Sequence, residues 1–150
     1  MNKLMINIFK NIKGVGWVFV ATGLCAFYDG IEMLFYPMAI FELYGMSHSD
    51  GGIVICQMMG VFYLGVAAML WLLAPISLEN VVKWRVATMS CILDATMALF
   101  FFVKLQEGSF ENEVNILFII FLYLSMSVAY AYFLIRHYIL KNDNIVVKDY

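Results

Sequence analysis

The sequence predicts an all-α protein, a bundle of four transmembrane helices in a single membrane domain, and three observations support this prediction. Four apolar runs fill most of the 150 residues, and each is long enough to cross the roughly 30 Å of hydrocarbon in a bilayer. Charged residues make up 13% of the chain, about half of the share in soluble domains. Basic residues gather at alternate ends of the runs, as an even number of crossings requires. The runs cover residues 14–36, 52–74, 81–103 and 114–135.

The first run follows several basic residues, so a signal peptide is the alternative to a retained helix. We favour the helix because no small-residue cleavage site follows the run, and Leu24 stands before Cys25 where a lipoprotein signal needs a small residue. Pro37 is expected to end or bend this run, because proline lacks a backbone donor and disfavours a helical residue before it. Residues 38–44 are then expected to form a short interfacial turn.

Capping residues and a second proline mark the other boundaries. Ser49 or Asp50 is placed to cap the second helix, and Ser77 is placed to cap the third. Pro75 is expected to end the second helix. The final segment, residues 141–150, is polar and is expected to form a mobile cytoplasmic tail.

The distribution of basic residues predicts the orientation of the bundle. If both termini are cytoplasmic, eight of the nine basic residues lie on the cytoplasmic side and only Lys104 lies outside, as the positive-inside rule requires. Lys83 and Arg85 fall in the first turns of the third run, and their long stems are expected to reach back to the interface. We expect an integral protein of a bacterial inner membrane, with both termini cytoplasmic. The eight residues are Lys3, Lys10, Lys13, Lys83, Arg85, Arg136, Lys141 and Lys148.

The chain shows signs of two copies of one helical hairpin. Asp29 and Asp94 are each followed, five residues later, by leucine, phenylalanine and a second aromatic residue. Tyr63 and Tyr123, in the returning runs, are each followed by leucine and a small residue. Chance is the alternative explanation, because leucine and phenylalanine are abundant here. A true repeat would place both aspartates at one depth, about two turns below the outer surface, with both tyrosines at a similar depth.

Polar and small residues recur at three- and four-residue spacing along one face of each run, which is where helices in lipid contact each other. Asp94 and Asp29 are the candidate catalytic residues, as acid or base. No lysine or arginine lies at their depth, so Asp94 is expected to be neutral, bonded to a tyrosine or serine hydroxyl, or exposed to a watery cavity. The alternatives are a packing hydrogen bond for Asp94 and, for Asp29 and Glu32, a helix end that reaches the interface. The candidate ligand-binding residues are Glu32, Gln57, Tyr63, Tyr123 and Ser127.

Other chemistries find little support in the sequence. Cys25, Cys56 and Cys91 form no C-x-x-C pair, and His48 and His137 lie at opposite ends of the predicted bundle. Phosphate-loop, serine-hydrolase and zinc-protease motifs are absent from the sequence. We therefore expect no metal and no cofactor. The chain also lacks a basic stripe with interleaved aromatic residues, so we expect no nucleic-acid partner.

Three functions fit these observations. The first is the binding of an amphipathic or lipid-like small molecule in an outward-opening polar pocket, with proton transfer by Asp94 or Asp29 if the protein is an enzyme. The second is a subunit of a homo-oligomeric channel or transporter, in which Gly60 and the Ala67–Ala68 pair contact a neighbouring copy. The third is an accessory subunit of a larger membrane complex. The expected partners are membrane lipids and a small amphipathic ligand, and a homo-oligomer is left open.

Two segments of the first half carry a family resemblance. The first contains Gly23-Leu24, Gly30, Leu34-Phe35-Tyr36-Pro37 and Glu42-Leu43-Tyr44-Gly45, and the second is Gln57-Met58-Met59-Gly60-Val61-Phe62-Tyr63-Leu64-Gly65. Together they resemble the first hairpin of small four-helix membrane proteins of the DoxX-like group. Members of that group often carry a basic residue where Gln57 stands, and this chain departs from the pattern there. The resemblance implies a four-helix bundle, sometimes associated with respiratory or redox membrane complexes.

Overall fold

A computed structural model describes residues 11–47, 49–110 and 113–146, with side chains described up to residue 139. Within these ranges the all-α fold is confirmed, and four of the helices are long and apolar enough to cross a membrane. Lys3, Lys10, His48 and Lys148 lie outside the described residues, as does the side chain of Lys141. The helices are α1 (Val15–Phe35), α2 (Pro37–Tyr44), α3 (Asp50–Leu73), α4 (Val81–Gln106) and α5 (Glu113–Val146).

The four long helices lie close to the predicted runs and extend beyond two of them. Helix α4 continues past the predicted end at residue 103 to Gln106. Helix α5 begins at Glu113 and its backbone continues to Val146, into the segment that we expected to be a polar tail. The apolar runs therefore mark the part of each helix that suits lipid, and α4 and α5 continue beyond it.

The segment after Pro37 is a helix rather than the turn that we expected over residues 38–44. Proline is favoured in the first turn of a helix, because its fixed φ suits the helix and its missing N–H would have no partner there. Gly45 ends α2 with a φ of 62°, and the N–H of Met46 donates to the carbonyl of Phe41 at 2.9 Å. This pattern is a frequent helix end, in which glycine adopts the left-handed conformation without steric cost.

One predicted cap is confirmed and another is wrong. The hydroxyl of Ser49 accepts a hydrogen bond from the N–H of Gly52 at 3.2 Å and caps α3. The cap of α4 is Asn80 rather than Ser77, because the connecting turn continues to Asn80 and its side-chain oxygen accepts from the N–H of Val82 at 2.9 Å. The Ser77 hydroxyl accepts a backbone hydrogen bond within that turn instead.

The side chain of Lys83 reaches back to the connection between α3 and α4 rather than into open solvent. This side chain is fully buried, and the ammonium donates to the carbonyls of Ala74 at 2.8 Å and Ile76 at 2.7 Å. These carbonyls follow the C-terminal end of α3, where backbone acceptors lack helical partners and the helix dipole favours a cation. Gly16 of α1 packs against the same place, since a Cβ there would lie 2.4 Å from the carbonyl oxygen of Ala74.

The bundle consists of two hairpins, because α1 packs mainly along α3 and α4 packs mainly along α5. The backbones of α1 and α3 approach closely at Gly30 and Gly60, where a Cβ on Gly60 would lie 2.8 Å from the carbonyl oxygen of Gly30. Small residues allow such contacts between membrane helices. Gly60 and Ala67 are buried within the chain, so they do not form the contact with a neighbouring copy that we suggested, whereas Ala68 is exposed.

The hairpins contact each other at both ends of the bundle. At one end, which we call the floor, the rings of Phe19 and Tyr130 lie 5.7 Å apart in a buried apolar cluster. At the other end, which we call the roof, the ring of Tyr44 in α2 lies 5.9 Å from Phe101 of α4 and 6.1 Å from Phe110. Bulky rings at the floor and roof therefore join the two hairpins, and the space between these contacts is the location of the candidate site.

Candidate functional site

A cavity of about 720 Å³ lies between the floor and the roof, with walls from all five helices. Its size is in the range of known small-molecule sites, roughly 300–1,000 Å³. Leu70 lines it from the floor cluster, and Ile40, Leu43 and Tyr44 line it from α2. Most of the lining is apolar, and the polar side chains are few. This composition suits a ligand with a large apolar part and a small polar part.

Asp94 is the most unusual residue of the lining. It is only 5% exposed, and its Oδ2 atom has no hydrogen-bond partner among the described residues. That oxygen is therefore not bonded to a tyrosine or serine hydroxyl, which was one of the arrangements that we expected. An unpaired buried acceptor costs about 1–3 kcal/mol. A molecule in the cavity that donates a hydrogen bond to Asp94 would remove this cost.

Asp29 and Glu32 line the same cavity from α1, and both are partly buried. Their spacing of three residues places them on one face of the helix. Cys25, one turn away on that face, lies within electrostatic range of both Asp29 and Asp94. Acidic residues on helices of different hairpins thus line one cavity. This arrangement agrees with the equal depth that we predicted for Asp29 and Asp94.

Two tyrosines join the hairpins across the cavity. The hydroxyl oxygens of Tyr63 in α3 and Tyr123 in α5 lie 3.5 Å apart, and either hydroxyl can be the donor. The ring of Tyr123 stacks against that of Phe101, with centroids 6.1 Å apart. Nearer the floor, the Tyr130 hydroxyl donates to Thr22 at 3.0 Å. The Tyr63–Tyr123 pair therefore provides both a donor and an acceptor in the wall of the cavity.

Two of the predicted ligand-binding residues do not line the cavity. The amide nitrogen of Gln57 donates to the carbonyl of Leu34 at 3.3 Å, which joins α3 to α1. The hydroxyl of Ser127 donates to the carbonyl of Cys91 at 3.1 Å, which joins α5 to α4. Each hydrogen bond joins the two helices of one hairpin. Both polar side chains therefore have partners within the bundle and contribute to helix packing.

Sequence patterns did not identify Tyr44 and Asn115 as part of this site. Tyr44 lines the cavity from α2, and burial raises the pKa of its hydroxyl, which therefore stays protonated and able to donate. Asn115, near the start of α5, also lines the cavity, and its amide lies 3.5 Å from the carbonyl of Leu43. We did not identify these two residues because we predicted a turn over residues 38–44. A turn would not extend across the roof as α2 does.

The described lining is acidic and holds no basic side chain: it includes Asp29, Glu32 and Asp94 but no lysine, arginine or histidine. Lys83 is bonded to backbone carbonyls below the cavity, and Lys104 pairs with Glu107 at 2.6 Å near the other end of α4. In the part of the chain that the structure describes, no three histidine, cysteine or acidic side chains are grouped to hold a metal ion. The carboxylates of the described lining therefore have no basic side chain beside them in the cavity wall.

Several side chains of the lining are also exposed on the outside of the bundle. Leu24 and Tyr28 of α1 are 56% and 62% exposed, and Phe62 of α3 and Phe118 of α5 are 60% and 67% exposed. At these positions a single side chain forms the wall between the cavity and the outside of the bundle. The apolar surface of the four long helices therefore lies directly outside the cavity wall.

Comparisons with known proteins returned no family model, no curated protein and no solved structure that matches this chain. The resemblance of the first hairpin to the DoxX-like group stays a prediction.

Proposed function

We propose that this protein is a multi-pass membrane protein that binds an amphipathic small molecule in the cavity between its two hairpins. The observation that carries the proposal is Asp94, which lines the cavity and whose buried Oδ2 atom has no hydrogen-bond partner among the described residues. A void in a well-packed protein loses contact energy along its whole wall. Combined with an unpaired polar group, such a void is a strong reason to expect a guest molecule. One chain supplies the whole cavity, so this binding needs no second copy.

The surroundings of the cavity favour a guest that arrives from the bilayer. Its walls are mainly apolar, and the exposed lining residues Tyr28 and Phe118 lie on surfaces suited to lipid. An apolar chain can pass from lipid into such a cavity without crossing water. The polar group of the guest would then reach Asp94, Asp29 or the Tyr63–Tyr123 pair.

The same carboxylates are our candidates for chemistry on the guest. A general acid or base must reach the transferred proton directly or through one water. Asp94 and Asp29 line the space that the guest would occupy, and the tyrosine pair can relay a proton between neighbouring groups. Binding is the function that the geometry supports best, and proton transfer is its extension.

Photolabelling in phosphatidylcholine nanodiscs tests the proposal, with a dodecanol that carries a diazirine in its chain. In the wild-type protein we expect adducts on cavity residues such as Met97 and Met126. Cys25→Phe places a ring in the cavity and should reduce these adducts at least fivefold. Cys56→Phe is the matched control, because Cys56 lies outside the cavity lining and its substitution should leave the adducts unchanged.

The pattern of adducts decides the outcome. Adducts confined to lipid-facing residues such as Leu72 and Met89, which are 74% and 73% exposed, would contradict the proposal. Equal loss of cavity adducts in Cys25→Phe and Cys56→Phe would also contradict it, because the control would then show that labelling does not depend on the cavity. Circular dichroism of both variants verifies that each keeps its helical content.

A further inference from the structure

We infer that the guest carries a primary amine, so that the cavity selects protonated alkylamines over neutral and anionic amphiphiles. This inference rests on the proposed function above and names the chemical class of its ligand. Three features of the described lining support it: the unpaired acceptor of Asp94, the second carboxylate of Asp29, and the lack of a basic side chain.

Hydrogen bonding favours a guest that donates. An ionised Asp94 carboxylate has only acceptors, one of them without a partner among the described residues, so the group that completes it must be a donor. An ammonium group has three donors, whereas an alcohol has one and a carboxylate has none. An ammonium can therefore bond to Asp94 and still donate to Asp29 or to a hydroxyl of the Tyr63–Tyr123 pair.

Charge favours a cationic guest. A carboxylate inside a bundle is costly unless a cation or hydrogen-bond donors accompany it. The ammonium of Lys83, below the cavity, is held by the carbonyls of Ala74 and Ile76. Lys83 therefore does not provide a cation for these carboxylates. A guest ammonium would provide it, and the resulting bond would be charge-assisted and stronger than a neutral one.

The same carboxylates disfavour anionic guests. An anionic head group would lose its hydration beside Asp29, Glu32 and Asp94, and the described lining has no cation to replace the lost water. Like charges at such short range in a medium of low dielectric repel each other strongly. The cavity should therefore bind an alkylamine best, an alcohol less well and a fatty acid least.

Competition against the diazirine dodecanol tests this order in the same nanodiscs at neutral pH. The competitors are dodecylamine, dodecanol and dodecanoate, and each concentration is corrected for partitioning into nanodiscs without protein. In the wild type, dodecylamine should halve the cavity adducts at a concentration about tenfold below that of dodecanol, which is the effect of one charge-assisted hydrogen bond. Dodecanoate should need the highest concentration.

The ratio of the amine and alcohol concentrations is the readout for the variants. Asp94→Asn should reduce the tenfold ratio to about twofold or less, because an amide is a weaker acceptor and carries no charge. Asp29→Asn, a second variant in case Asp94→Asn folds poorly, should reduce it partly. Asp50→Asn is the matched control, since Asp50 begins α3 outside the cavity lining, and it should keep the wild-type ratio.

Two failures can be told apart. If the probe labels the cavity but the amine and the alcohol compete equally in the wild type, the inference is overturned and the proposed function stands. The inference is also overturned if both asparagine variants keep the tenfold ratio. If the probe leaves the cavity unlabelled in the wild type, the proposed function fails, and the inference that rests on it fails as well.

Discussion

Two buried ionisable residues, Asp94 and Lys83, occupy opposite situations within one helix. The ammonium of Lys83 has two carbonyl partners at the end of α3, whereas Oδ2 of Asp94 has none among the described residues. A buried polar group with partners is consistent with a structural role, whereas one without partners at a cavity wall needs an explanation, and the proposed ligand provides one. The sequence of the apolar run could not show which of the two residues has partners. The carbonyls that bind Lys83 belong to a turn whose path the sequence does not specify.

We predict that Lys83→Met destabilises the protein by about 1–3 kcal/mol. The substitution keeps the apolar stem but leaves the buried carbonyl of Ala74 and the partly buried carbonyl of Ile76 without their donor. Thermal unfolding in detergent, followed by circular dichroism, measures the effect. Lys104→Met is the control, because Lys104 is in an exposed ion pair with Glu107, and such pairs contribute at most about 1 kcal/mol. Equal stability of Lys83→Met and the wild type would contradict the structural role of Lys83.

At the scale of helices, the sequence predicted the elements well and their ends less well. The four long helices follow from the length of the apolar runs, which depends only on local composition. The cap of α3 at Ser49 follows from local chemistry in the same way. The start of α4 agrees with the predicted run, but its cap was assigned to Ser77 because serine and asparagine cap equally well, and only the path of the turn selects Asn80. The helix from Pro37 to Tyr44 was missed because its contacts across the roof are distant in sequence.

The contact between α1 and α3 gives a prediction at this scale: Gly60→Ala should destabilise the bundle by about 1–3 kcal/mol. A Cβ at Gly60 would lie 2.7 Å from the backbone nitrogen of Leu34 and 2.8 Å from the carbonyl oxygen of Gly30, so the two helices must move apart. Gly65→Ala is the matched control on the same helix, because no atom lies within 4 Å of a Cβ there. It should be neutral or slightly stabilising, since alanine has the higher helix propensity. Thermal unfolding of both variants compares them, and equal stabilities would contradict the close contact.

At the scale of the molecule, the sequence predicted which polar residues share a depth but not the space between them. Helical spacing and the apparent repeat placed Asp29, Asp94, Tyr63 and Tyr123 together, and all four line the cavity. The cavity itself depends on the distance between the hairpins. Large rings at the floor and roof determine that distance, and their contacts join residues far apart in sequence. We assigned Gln57 to the site because periodicity identifies the face of the helix on which it lies. Periodicity does not identify the neighbouring group that accepts its hydrogen bond.

The orientation of the bundle can be tested on intact bacterial cells with one cysteine at each end. Glu107 lies past the end of α4, near the roof, and Glu79 lies in the exposed turn before α4, near Lys83 and Arg85. Because basic residues favour the cytoplasmic side, we predict that a membrane-impermeant maleimide labels Glu107→Cys in intact cells at least tenfold more than Glu79→Cys. After the cells are opened, both variants should react, which controls for expression and accessibility. The reverse pattern would place the roof in the cytoplasm and contradict the predicted orientation. The proposed entry of the guest through the sides of the bundle does not depend on that orientation.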